Sequence, residues 1–481
     1  MKLYELLEGI AFTGKVENTA VTLPVRDSRQ VEKGSLFFCI PGGAADGHDY
    51  AAQALEKGAA AVVVQRDLGL DRQLLVEDTH EAYGIACANY FGNPSKKLRL
   101  LGVTGTNGKT TVAFLTKYIL EHAGHTVGLI GTVQNELPGM VLPARHTTPD
   151  PFQLHSLFAR MVEAGCDYAV MEVSSHALDQ RRVAGCHFAA SAFTNLTEDH
   201  LDYHHEMEAY FQAKKRLFDQ SAVAVLNLDD RYGRRLSEEL TLPQISFSCE
   251  RHQADITAHN IKFSQRGSHF ALLFQGELSR VDFVQPGYFS VSNAMAAAGL
   301  CMGAGLGFQA LIDGLEHCKG VPGRFEILET DTPYTVIRDY AHSPDGLEKL
   351  LSTVREFAPG RIVTLFGCAG VRDRKKRPHM AKIVAEYSDF CILTSDNPRT
   401  EDPQQIIDDA LPGFTKKTKH KEFVDRYEAI RWALDNSLPG DTLLLAGKGH
   451  EDYQVLDFGT ICFDEKEIVR ELLAEKQKES S

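Results

Sequence analysis

Short apolar runs alternate with helix-like segments along most of the chain. In the first part of the sequence, residues 35–40 and 59–65 are apolar runs, separated by a helix-like stretch at residues 49–57. Residues 92–97 are rich in turn-forming and charged side chains, as is typical of a linker. The pattern predicts a small N-terminal α/β domain at residues 1–95.

From residue 98 the pattern changes to repeated strand–helix units. Residues 98–104 are continuously apolar, which indicates a strand buried on both faces, and residues 112–123 have helical periodicity. Apolar positions alternate with period two between residues 244 and 284, which indicates an antiparallel patch. Further buried strands are predicted at 126–130, 168–173, 189–195 and 222–227. The pattern predicts a mostly parallel sheet like that of P-loop ATPases, in a central domain at residues 96–320.

The last part of the chain repeats the strand–helix alternation. Its predicted strands lie at residues 334–339, 361–366, 390–394 and 442–445. Strands that alternate with helices favour a doubly wound, Rossmann-like sheet. We therefore expect a C-terminal domain at residues 321–481 and an α/β protein of three domains.

Composition narrows the class of protein. With 51 Lys and Arg against 65 Asp and Glu, the 481-residue chain has a formal net charge of −14, which argues against general nucleic-acid binding. No apolar run is long enough to span a bilayer, and the N-terminus lacks the apolar core of a signal peptide. The ten cysteines are scattered, so most are expected to be small core residues. We expect a cytoplasmic protein that does not bind membranes.

A phosphate-binding loop is predicted directly after the first strand of the central domain. Glycines allow backbone N–H groups to surround phosphate oxygens, a lysine adds positive charge, and a hydroxyl can reach Mg²⁺. Val103 stands where the longer form of this motif has glycine, so only the shorter form matches. The strand before the loop and the helix after it favour an ATP site over an ordinary glycine turn. Its residues are Gly105, Thr106, Asn107, Gly108, Lys109, Thr110 and Thr111.

Ionisable residues follow later predicted strands. Glu172 ends one strand, and a polar stretch at residues 194–204 follows another. Ligands bind at the carboxyl ends of strands in such sheets. On position alone, however, Glu172 could equally be a structural acid. Each single histidine in the polar stretch could equally be a surface or capping residue. Arg324 could be a solvated turn residue or could neutralise phosphate charge.

Seven strings in order along the chain resemble the Mur ligase family, and within it the enzymes that add the third amino acid of the peptidoglycan stem peptide. They are residues 104–111, 171–178, 194–203, 323–326, 339–344, 396–399 and 447–451. The resemblance implies that ATP phosphorylates a substrate carboxylate and that an amine attacks the resulting acyl phosphate.

The resemblance also assigns catalytic and cofactor residues. It implies that Lys109 and Thr110 hold phosphate and Mg²⁺, that Glu172 binds a first Mg²⁺, and that His200 binds a second. Lys214 matches a lysine that becomes carbamylated and supports the second metal ion. From the residues alone, the basic stretch 214–216 favours a solvated face. Adenine, phosphate and ribose would be contacted by Asn293, Arg324 and Asp339, respectively.

The acceptor implied by the resemblance is a UDP-N-acetylmuramoyl dipeptide. Its uridine end would lie at Ser28, Gly43, Ala44 and Ala45. Its sugar and peptide would be held by Thr147, Thr148, Ser174, Gln180 and Arg182.

The added amino acid is expected to be meso-diaminopimelate. This molecule has one more carboxylate than lysine, and a guanidinium can grip a carboxylate at two points. Arg399 occupies the position that resembles the diaminopimelate-adding enzymes. The other matching positions are Arg372, Asp396, Asn397, Pro398, Gly447 and Glu451. Ala369 and Val371 depart from the family pattern and weaken the assignment of Arg372.

Other interpretations stay open at this stage. The chain could add L-lysine, could belong with the related folylpolyglutamate synthetases, or could be an ATP-binding switch without ligase chemistry. Arg399 could also be a surface residue beside a helix. A monomer is expected.

Overall fold

The computed structural model describes residues 1–43, 45–250, 253–264 and 267–479. The chain forms two compact units, Met1–Ile256 with Met295–Gly314, and Thr257–Ala294 with Leu315–Ser481. Ala44, one of the predicted acceptor-binding residues, lies outside the described residues.

The first unit begins with a parallel sheet in the order β1–β2–β3–β4. β2 and β3 are buried along their whole length, in agreement with the apolar runs in the sequence. Asp78 caps α3 by accepting the N–H groups of His80 and Glu81. The elements are α1 (Leu3–Leu6), β1 (Pro24–Val25), a 3-10 turn (Ser28–Gln30), β2 (Leu36–Phe38), a 3-10 turn (Gly47–Tyr50), α2 (Ala51–Glu56), β3 (Ala61–Val64), β4 (Gln73–Leu75), α3 (Thr79–Tyr90) and a 3-10 turn (Pro94–Lys96).

A larger sheet follows in the same unit, with the strand order β12–β11–β10–β5–β9–β6–β7–β8. Its strands are β5 (Arg99–Thr104), β6 (Val127–Ile130), β7 (Gln134–Leu137), β8 (Met140–Pro143), β9 (Tyr168–Glu172), β10 (Phe188–Phe193), β11 (Ala224–Asn227) and β12 (Gln244–Ser248). Neighbours are parallel from β12 to β6, and β7 and β8 are antiparallel additions. The prediction of an antiparallel patch from residue 244 was therefore wrong for β12, which pairs in parallel with β11.

Helices follow most of these strands, and glycines allow close packing against them. A Cβ at Gly102 on β5 would lie 2.9 Å from the Phe188 ring on the neighbouring strand, and a Cβ at Gly299 on α10 would overlap Val225. The helices are α4 (Lys109–His122), α5 (Pro151–Glu163), α6 (Ser175–Asp179), α7 (Leu201–His204), α8 (Met207–Lys215), a 3-10 turn (Arg216–Gln220), α9 (Arg231–Glu239), α10 (Tyr288–Gly303) and α11 (Phe308–Glu316).

β5 lies at the point where the strand order reverses, between β9 and β10. At such a point the connections leave in opposite directions and open a crevice at the carboxyl ends of the strands. Glu172 on β9 pairs in register with Val103 on β5, and Phe193 on β10 pairs with Thr104. The ends of these three strands therefore lie at the same level.

Among the described residues, the second unit contains the strands β13–β15, a six-stranded C-terminal sheet and the two-stranded hairpin β22–β23. β14 and β15 are antiparallel, and β13 neighbours β14. The C-terminal sheet has the order β16–β17–β21–β18–β19–β20, in which only β16 is antiparallel to its neighbour. The strands are β13 (Ile256–Ser264), β14 (Gly267–Phe274), β15 (Glu277–Phe283), β16 (Glu326–Leu328), β17 (Thr335–Asp339), β18 (Ile362–Cys368), β19 (Phe390–Ser395), β20 (His420–Phe423), β21 (Thr442–Ala446) and the hairpin β22 (Tyr453–Leu456) and β23 (Gly459–Cys462).

Both faces of the C-terminal sheet are covered, as the sequence pattern predicted. A fully buried ion pair joins Arg426 on α15 to Glu465 on α16 at 2.7 Å, and Arg426 also donates to the carbonyl of Ala446 at the end of β21. The helices of this part are α12 (Pro344–Phe357), α13 (Lys376–Tyr387), α14 (Pro403–Ala410), a 3-10 turn (Leu411–Gly413), α15 (Arg426–Asn436) and α16 (Glu465–Glu479).

The cysteines behave as core residues. All ten lie in the described part of the chain, none forms a disulfide, and eight are buried. Burial raises the pKa of the Cys39 and Cys318 thiols to about 12. Within the described ranges, no helix combines the length and apolar character needed to cross a membrane.

His155 on α5 predicts a pH dependence of stability. Its side chain is fully buried, and burial lowers its pKa from 6.5 to about 4. The unfolded chain therefore binds more protons than the folded chain between these values, so stability is complete above pH 6.5 and falls as the pH drops towards 4. Between pH 7.5 and pH 5, the free energy of unfolding measured in urea should fall by about 2 kcal/mol less for His155→Gln than for the unmodified chain. The exposed His122→Gln is the control; equal losses for all three proteins would contradict the expectation.

Candidate active site

The loop after β5 is held in place by the end of the neighbouring strand β10. The N–H of Thr106 donates to the carbonyl of Asn195 at 2.9 Å, and the N–H of Asn107 donates to the Asn195 side chain at 3.0 Å. Gly105 has φ +151°, and a Cβ there would overlap the Thr194 hydroxyl. The backbone path therefore requires glycine at this position and is fixed by contacts with the two residues that follow β10.

Two lysines converge on the same loop. Lys109, at the start of α4, donates to the carbonyls of Gly105 and Thr106, each at 2.9 Å. Lys214, on α8, donates to the carbonyl of Gly105 at 2.7 Å and is only 1% exposed. Burial, with a smaller effect of nearby Lys109, lowers the pKa of Lys214 well below its usual value. The interpretation of residue 214 as part of a solvated face was wrong, because α8 turns this side chain inwards.

Glu172 is a buried carboxylate at the end of β9, and hydroxyl groups surround it. Its side chain accepts Thr110 Oγ1 at 2.9 Å, Thr132 Oγ1 at 3.0 Å and the Thr132 N–H at 2.7 Å. A Cβ at Gly131 would overlap Glu172 Oε1, so glycine leaves the space that the carboxylate fills. Thr132, which the sequence analysis missed, follows β6 and completes this set of oxygen atoms.

These oxygens fit a hard divalent cation. Mg²⁺ prefers oxygen ligands and keeps several water molecules and phosphate oxygens in its coordination shell. Within the described ranges, no group of three or more His, Cys, Asp or Glu side chains forms a metal cage. A site built from one carboxylate and threonine hydroxyls suits an ion that arrives with a nucleotide.

His200 lies among aromatic rings beside this site. Its ring centroid is 5.0 Å from that of His176 and 6.1 Å from that of Tyr210. Burial lowers its pKa to about 4, so the ring is neutral near pH 7. Its φ of +53° is uncommon for a residue other than glycine. A neutral imidazole is the form that binds metal ions.

The predicted residues for the sugar and peptide of the acceptor are connected to Glu172. Thr148 Oγ1 donates to the Glu172 carbonyl at 2.9 Å and accepts the Ser174 N–H at 3.0 Å. Arg182 donates to the Thr148 carbonyl at 3.0 Å and to the Gln180 side chain. The Thr147 hydroxyl is connected to the same group by a 3.0 Å hydrogen bond with the Thr132 hydroxyl. The structure thus brings these five predicted residues to one edge of the sheet.

The N-terminal sheet contributes a further cation near Arg182. Burial, and to a lesser extent the charge of Arg26, lowers the pKa of Arg182. Arg26 follows β1 directly, and the sequence analysis missed it because a lone arginine in a turn has no distinguishing pattern. Ser28 also follows β1, whereas Gly43 and Ala45 follow β2. These predicted uridine-binding residues lie after neighbouring parallel strands.

In the second unit, Arg324 and Asp339 meet at the edge of the C-terminal sheet. Asp339, at the end of β17, accepts the N–H groups of Phe325 and Ala341, each at 2.7 Å. Its burial raises the pKa of this carboxyl, and the Arg324 charge opposes that effect. The Arg324 guanidinium carbon lies 4.3 Å from the ring centroid of Tyr340. Asn293 is buried on α10.

The predicted amino-acid residues form a second polar group in the same unit. Asn397 donates to Glu451 at 2.9 Å, and fully buried Lys448 bonds both residues at 3.2 Å. A Cβ at Gly447 would lie 2.7 Å from Asp396 Oδ2. In the described part of the chain, this buried oxygen has no hydrogen-bond partner. Lys448 was missed by the sequence analysis, because a lysine beside two glycines is usually exposed.

Arg399 and Arg372 lie on two loops that bond to each other. Arg399 donates to the carbonyl of Gly370 at 2.8 Å and has φ +56°. Gly370 itself donates to the carbonyl of Asn397 at 3.0 Å. Val371, next to the exposed Arg372, has φ +55°, which is strained for a β-branched residue. The departure from the family pattern at this position therefore falls on a backbone conformation that a β-branched residue rarely adopts.

Comparisons with known proteins show which family the chain belongs to. Sequence models match the chain at residues 25–90 (Mur ligase family, catalytic domain), 103–301 (Mur ligase middle domain) and 323–449 (Mur ligase, glutamate ligase domain). A Clostridium tetani protein named UDP-N-acetylmuramoyl-L-alanyl-D-glutamate–2,6-diaminopimelate ligase is 42% identical over 99% of this chain and 100% of its own length. A Gloeobacter violaceus protein of the same name is 44% identical over 99% of each chain. The chain belongs to the Mur ligase family.

Solved structures give the same result. A solved structure of a protein with that same ligase name has 32% sequence identity to this chain and a TM-score of 0.74. The alignment covers 99% of this chain and 100% of the other chain. The UDP-N-acetylmuramoylalanyl-D-glutamyl-2,6-diaminopimelate–D-alanyl-D-alanyl ligase of Acinetobacter baumannii shares the fold, with 19% identity, a TM-score of 0.63 and 98% coverage of both chains. The predicted family and the three-domain α/β fold are confirmed.

Gly131 provides a test of the Glu172 site. Gly131→Ala should push the carboxylate out of its space, raise the Mg²⁺ concentration needed for half-maximal ATP turnover, and lower kcat/KM for ATP at least about tenfold. Gly307→Ala is the matched control, because a Cβ there meets nothing within 4 Å. Mg²⁺ titrations that coincide for both variants would show that Glu172 does not hold the ion.

Proposed function

We propose that this chain is an ATP-dependent ligase that joins meso-diaminopimelate to UDP-N-acetylmuramoyl-L-alanyl-D-glutamate during peptidoglycan precursor synthesis. The observation that carries the proposal is the full-length identity of about 42% to proteins named for this reaction. The convergence of Lys109, Thr110, Glu172 and Lys214 on the Gly105 loop supports it.

The proposed reaction has two steps. A carboxylate oxygen of the acceptor attacks the γ-phosphorus of ATP, the bond from that phosphorus to the β,γ-bridging oxygen breaks, and ADP leaves an acyl phosphate behind. The amine nitrogen of diaminopimelate then attacks the acyl carbon and loses a proton. The bond from that carbon to the phosphate oxygen breaks, so the products are an amide and inorganic phosphate.

The chain's own residues would stabilise the charge that moves in these steps. Lys109 lies on the phosphate loop and would hold the β- and γ-phosphates, and the remaining loop residues would donate N–H groups. Arg324 would neutralise charge on the transferred phosphoryl group. Asn293 would contact adenine and Asp339 the ribose.

Mg²⁺ bound at the site would withdraw charge from phosphate oxygens. Thr110 and Glu172 would hold one ion, as their shared hydrogen bond supports. His200 and a carbamylated Lys214 would hold a second. Carbamylation joins CO₂ to a neutral amine and releases a proton, which turns a cationic side chain into an anionic one. A positive charge on Lys214 is unfavourable because the side chain is buried beside Lys109, and carbamylation would remove that charge.

The acceptor would bind along the edge formed by the N-terminal and central sheets. Ser28, Gly43, Ala44 and Ala45 would contact its uridine end. Thr147, Thr148, Ser174, Gln180 and Arg182 would contact its sugar and peptide. The cationic side chains of Arg182 and Arg26 would bind its carboxylate or phosphate groups, which supports an anionic acceptor.

Diaminopimelate would bind between the two loops of the C-terminal sheet. Arg399 would grip its distal carboxylate, with Arg372 and the backbone of Asn397, Pro398 and Gly447 nearby. Glu451 and the buried oxygen of Asp396 would accept the distal ammonium, since an unsatisfied buried acceptor is costly unless a ligand supplies the donor.

The domain boundaries at 1–95, 96–320 and 321–481 form part of the proposal. The protein would act as a cytoplasmic monomer that binds neither nucleic acid nor membranes, in keeping with its net charge of −14.

A phosphate-release assay tests the function. Purified protein with ATP, Mg²⁺ and the UDP-linked dipeptide should turn over with diaminopimelate and weakly with L-lysine, and the product should have the mass of the tripeptide. Arg399→Lys should raise KM for diaminopimelate about tenfold or more, because an ammonium cannot replace a bidentate guanidinium.

Arg355→Lys, on α12, is the control for that substitution. Equal turnover with diaminopimelate and lysine would contradict the role of Arg399. ATP binding without any acceptor-dependent turnover would indicate a non-catalytic switch.

Lys214 gives a separate prediction. In ¹³C-bicarbonate, the NMR spectrum should contain a carbamate carbon signal that Lys214→Arg lacks and that Lys215→Arg, on the same helix, retains. Turnover of Lys214→Arg should fall at least about tenfold, because the arginine stays cationic where negative charge is needed. A spectrum without the signal, or with the signal unchanged in Lys214→Arg, would exclude carbamylation at this residue.

A further inference from the structure

Tyr340 lies between the arginine proposed to face the nucleotide and the carboxylate proposed to face the amino acid. The Arg324 guanidinium carbon is 4.3 Å from its ring centroid, within the range of a cation–π interaction. At the other end, the Tyr340 hydroxyl donates to Glu451 Oε1 at 3.3 Å. One side chain therefore contacts both groups.

The backbones that carry Arg324 and Glu451 are also packed together. Gly323 has φ +65°, and a Cβ there would overlap the N–H of His450 and the carbonyl carbon of Gly449. The Phe325 N–H, on the other side of Arg324, bonds to Asp339 at 2.7 Å. The turn and the loop thus have little freedom to move independently.

Glu451 is held so that one of its oxygens faces Tyr340. Its Oε2 accepts hydrogen bonds from Asn397 at 2.9 Å and from Lys448 at 3.2 Å. Lys448 is 0% exposed, so this hydrogen-bond donor is enclosed beneath the carboxylate. A ligand ammonium that binds Glu451 therefore meets a carboxylate held at Oε2 by Asn397 and Lys448 and at Oε1 by the Tyr340 hydroxyl.

We propose that Tyr340 is a positioning residue that couples nucleotide binding at Arg324 to amino-acid binding at Glu451. The inference rests on the proposed function, which assigns a phosphate to Arg324 and an ammonium to Glu451. A phosphate that orders Arg324 also orders the ring beneath it, and the ring then presents its hydroxyl to Glu451. The second ligand finds the bridge already ordered, so the coupling is positive and reciprocal.

Two substitutions separate the two contacts. Tyr340→Phe keeps the ring under Arg324 and removes only the hydroxyl. Tyr340→Leu removes both contacts. Tyr334→Phe is the matched control, since the Tyr334 hydroxyl donates to the carbonyl of Leu434 at 2.9 Å in the core of the same sheet.

Isothermal titration calorimetry measures the coupling. Diaminopimelate is titrated into each full-length protein with saturating UDP-linked dipeptide and Mg²⁺, with and without the non-hydrolysable β,γ-imido analogue of ATP. The analogue should tighten diaminopimelate binding about tenfold in the unmodified chain and in Tyr334→Phe. In both Tyr340 variants, the Kd for diaminopimelate without the analogue, divided by the Kd with it, should fall to a value between about 1 and 2. Only Tyr340→Leu should weaken binding of the analogue itself.

Each contrary outcome overturns the inference. A Tyr340→Phe variant with the full ratio would show that the hydroxyl carries no coupling, and a ratio of one in the unmodified chain would show that none exists. A lost ratio in Tyr334→Phe would indicate a general effect on the domain. Failure of the proposed function is distinguishable, because the unmodified chain would then show no diaminopimelate-dependent phosphate release.

Discussion

The carbonyl oxygen of Gly105 is the acceptor on which the phosphate site depends. Lys109 and Lys214 both donate to it, at 2.9 and 2.7 Å, although they come from helices far apart in the sequence. Burial, and to a lesser extent repulsion by the nearby ammonium of Lys109, lowers the pKa of Lys214 well below its usual value and favours loss of its charge. The carbonyl can take this position because Gly105 adopts φ +151° against Thr194, which directly follows the neighbouring strand β10. One backbone conformation therefore fixes the loop, the cation on it and the unusual state of a second lysine.

The order of strands explains why distant segments meet at this loop. β5, β9 and β10 are neighbours with their carboxyl ends at one level, so the residues that follow them share one edge. β6 adds Gly131 and Thr132 beside Glu172. In the second unit, the parallel strands again place Asp339 at the carboxyl end of β17, and Asp396 and Gly447 directly after β19 and β21. In each unit the rigid strands fix the positions, and the loops supply the chemistry.

The sequence predicted the features that depend on local pattern. Buried strands such as β5 and β9 were recognisable because continuous apolar runs mark strands covered on both faces. The phosphate loop was recognisable from glycines between a strand and a helix. Features that depend on partners distant along the chain were not recognisable from the sequence. The burial of Lys214, the role of Thr132 under Glu172, the cation at Lys448 and the parallel pairing of β12 arise from contacts between segments remote along the chain. The family resemblance, rather than periodicity, pointed to Lys214.

The packing of the cysteines has a practical consequence for labelling chemistry. Eight of the ten thiols are buried, and burial also raises the pKa of the half-buried Cys249, so these groups are slow to form the reactive thiolate. Cys462, at the end of the hairpin β22–β23, is the exposed one. A maleimide or a thiol-reactive spin label would therefore attach selectively to Cys462 without any substitution in the chain. The hairpin β22–β23 thus offers an attachment site for a spectroscopic label, and no cysteine has to be removed.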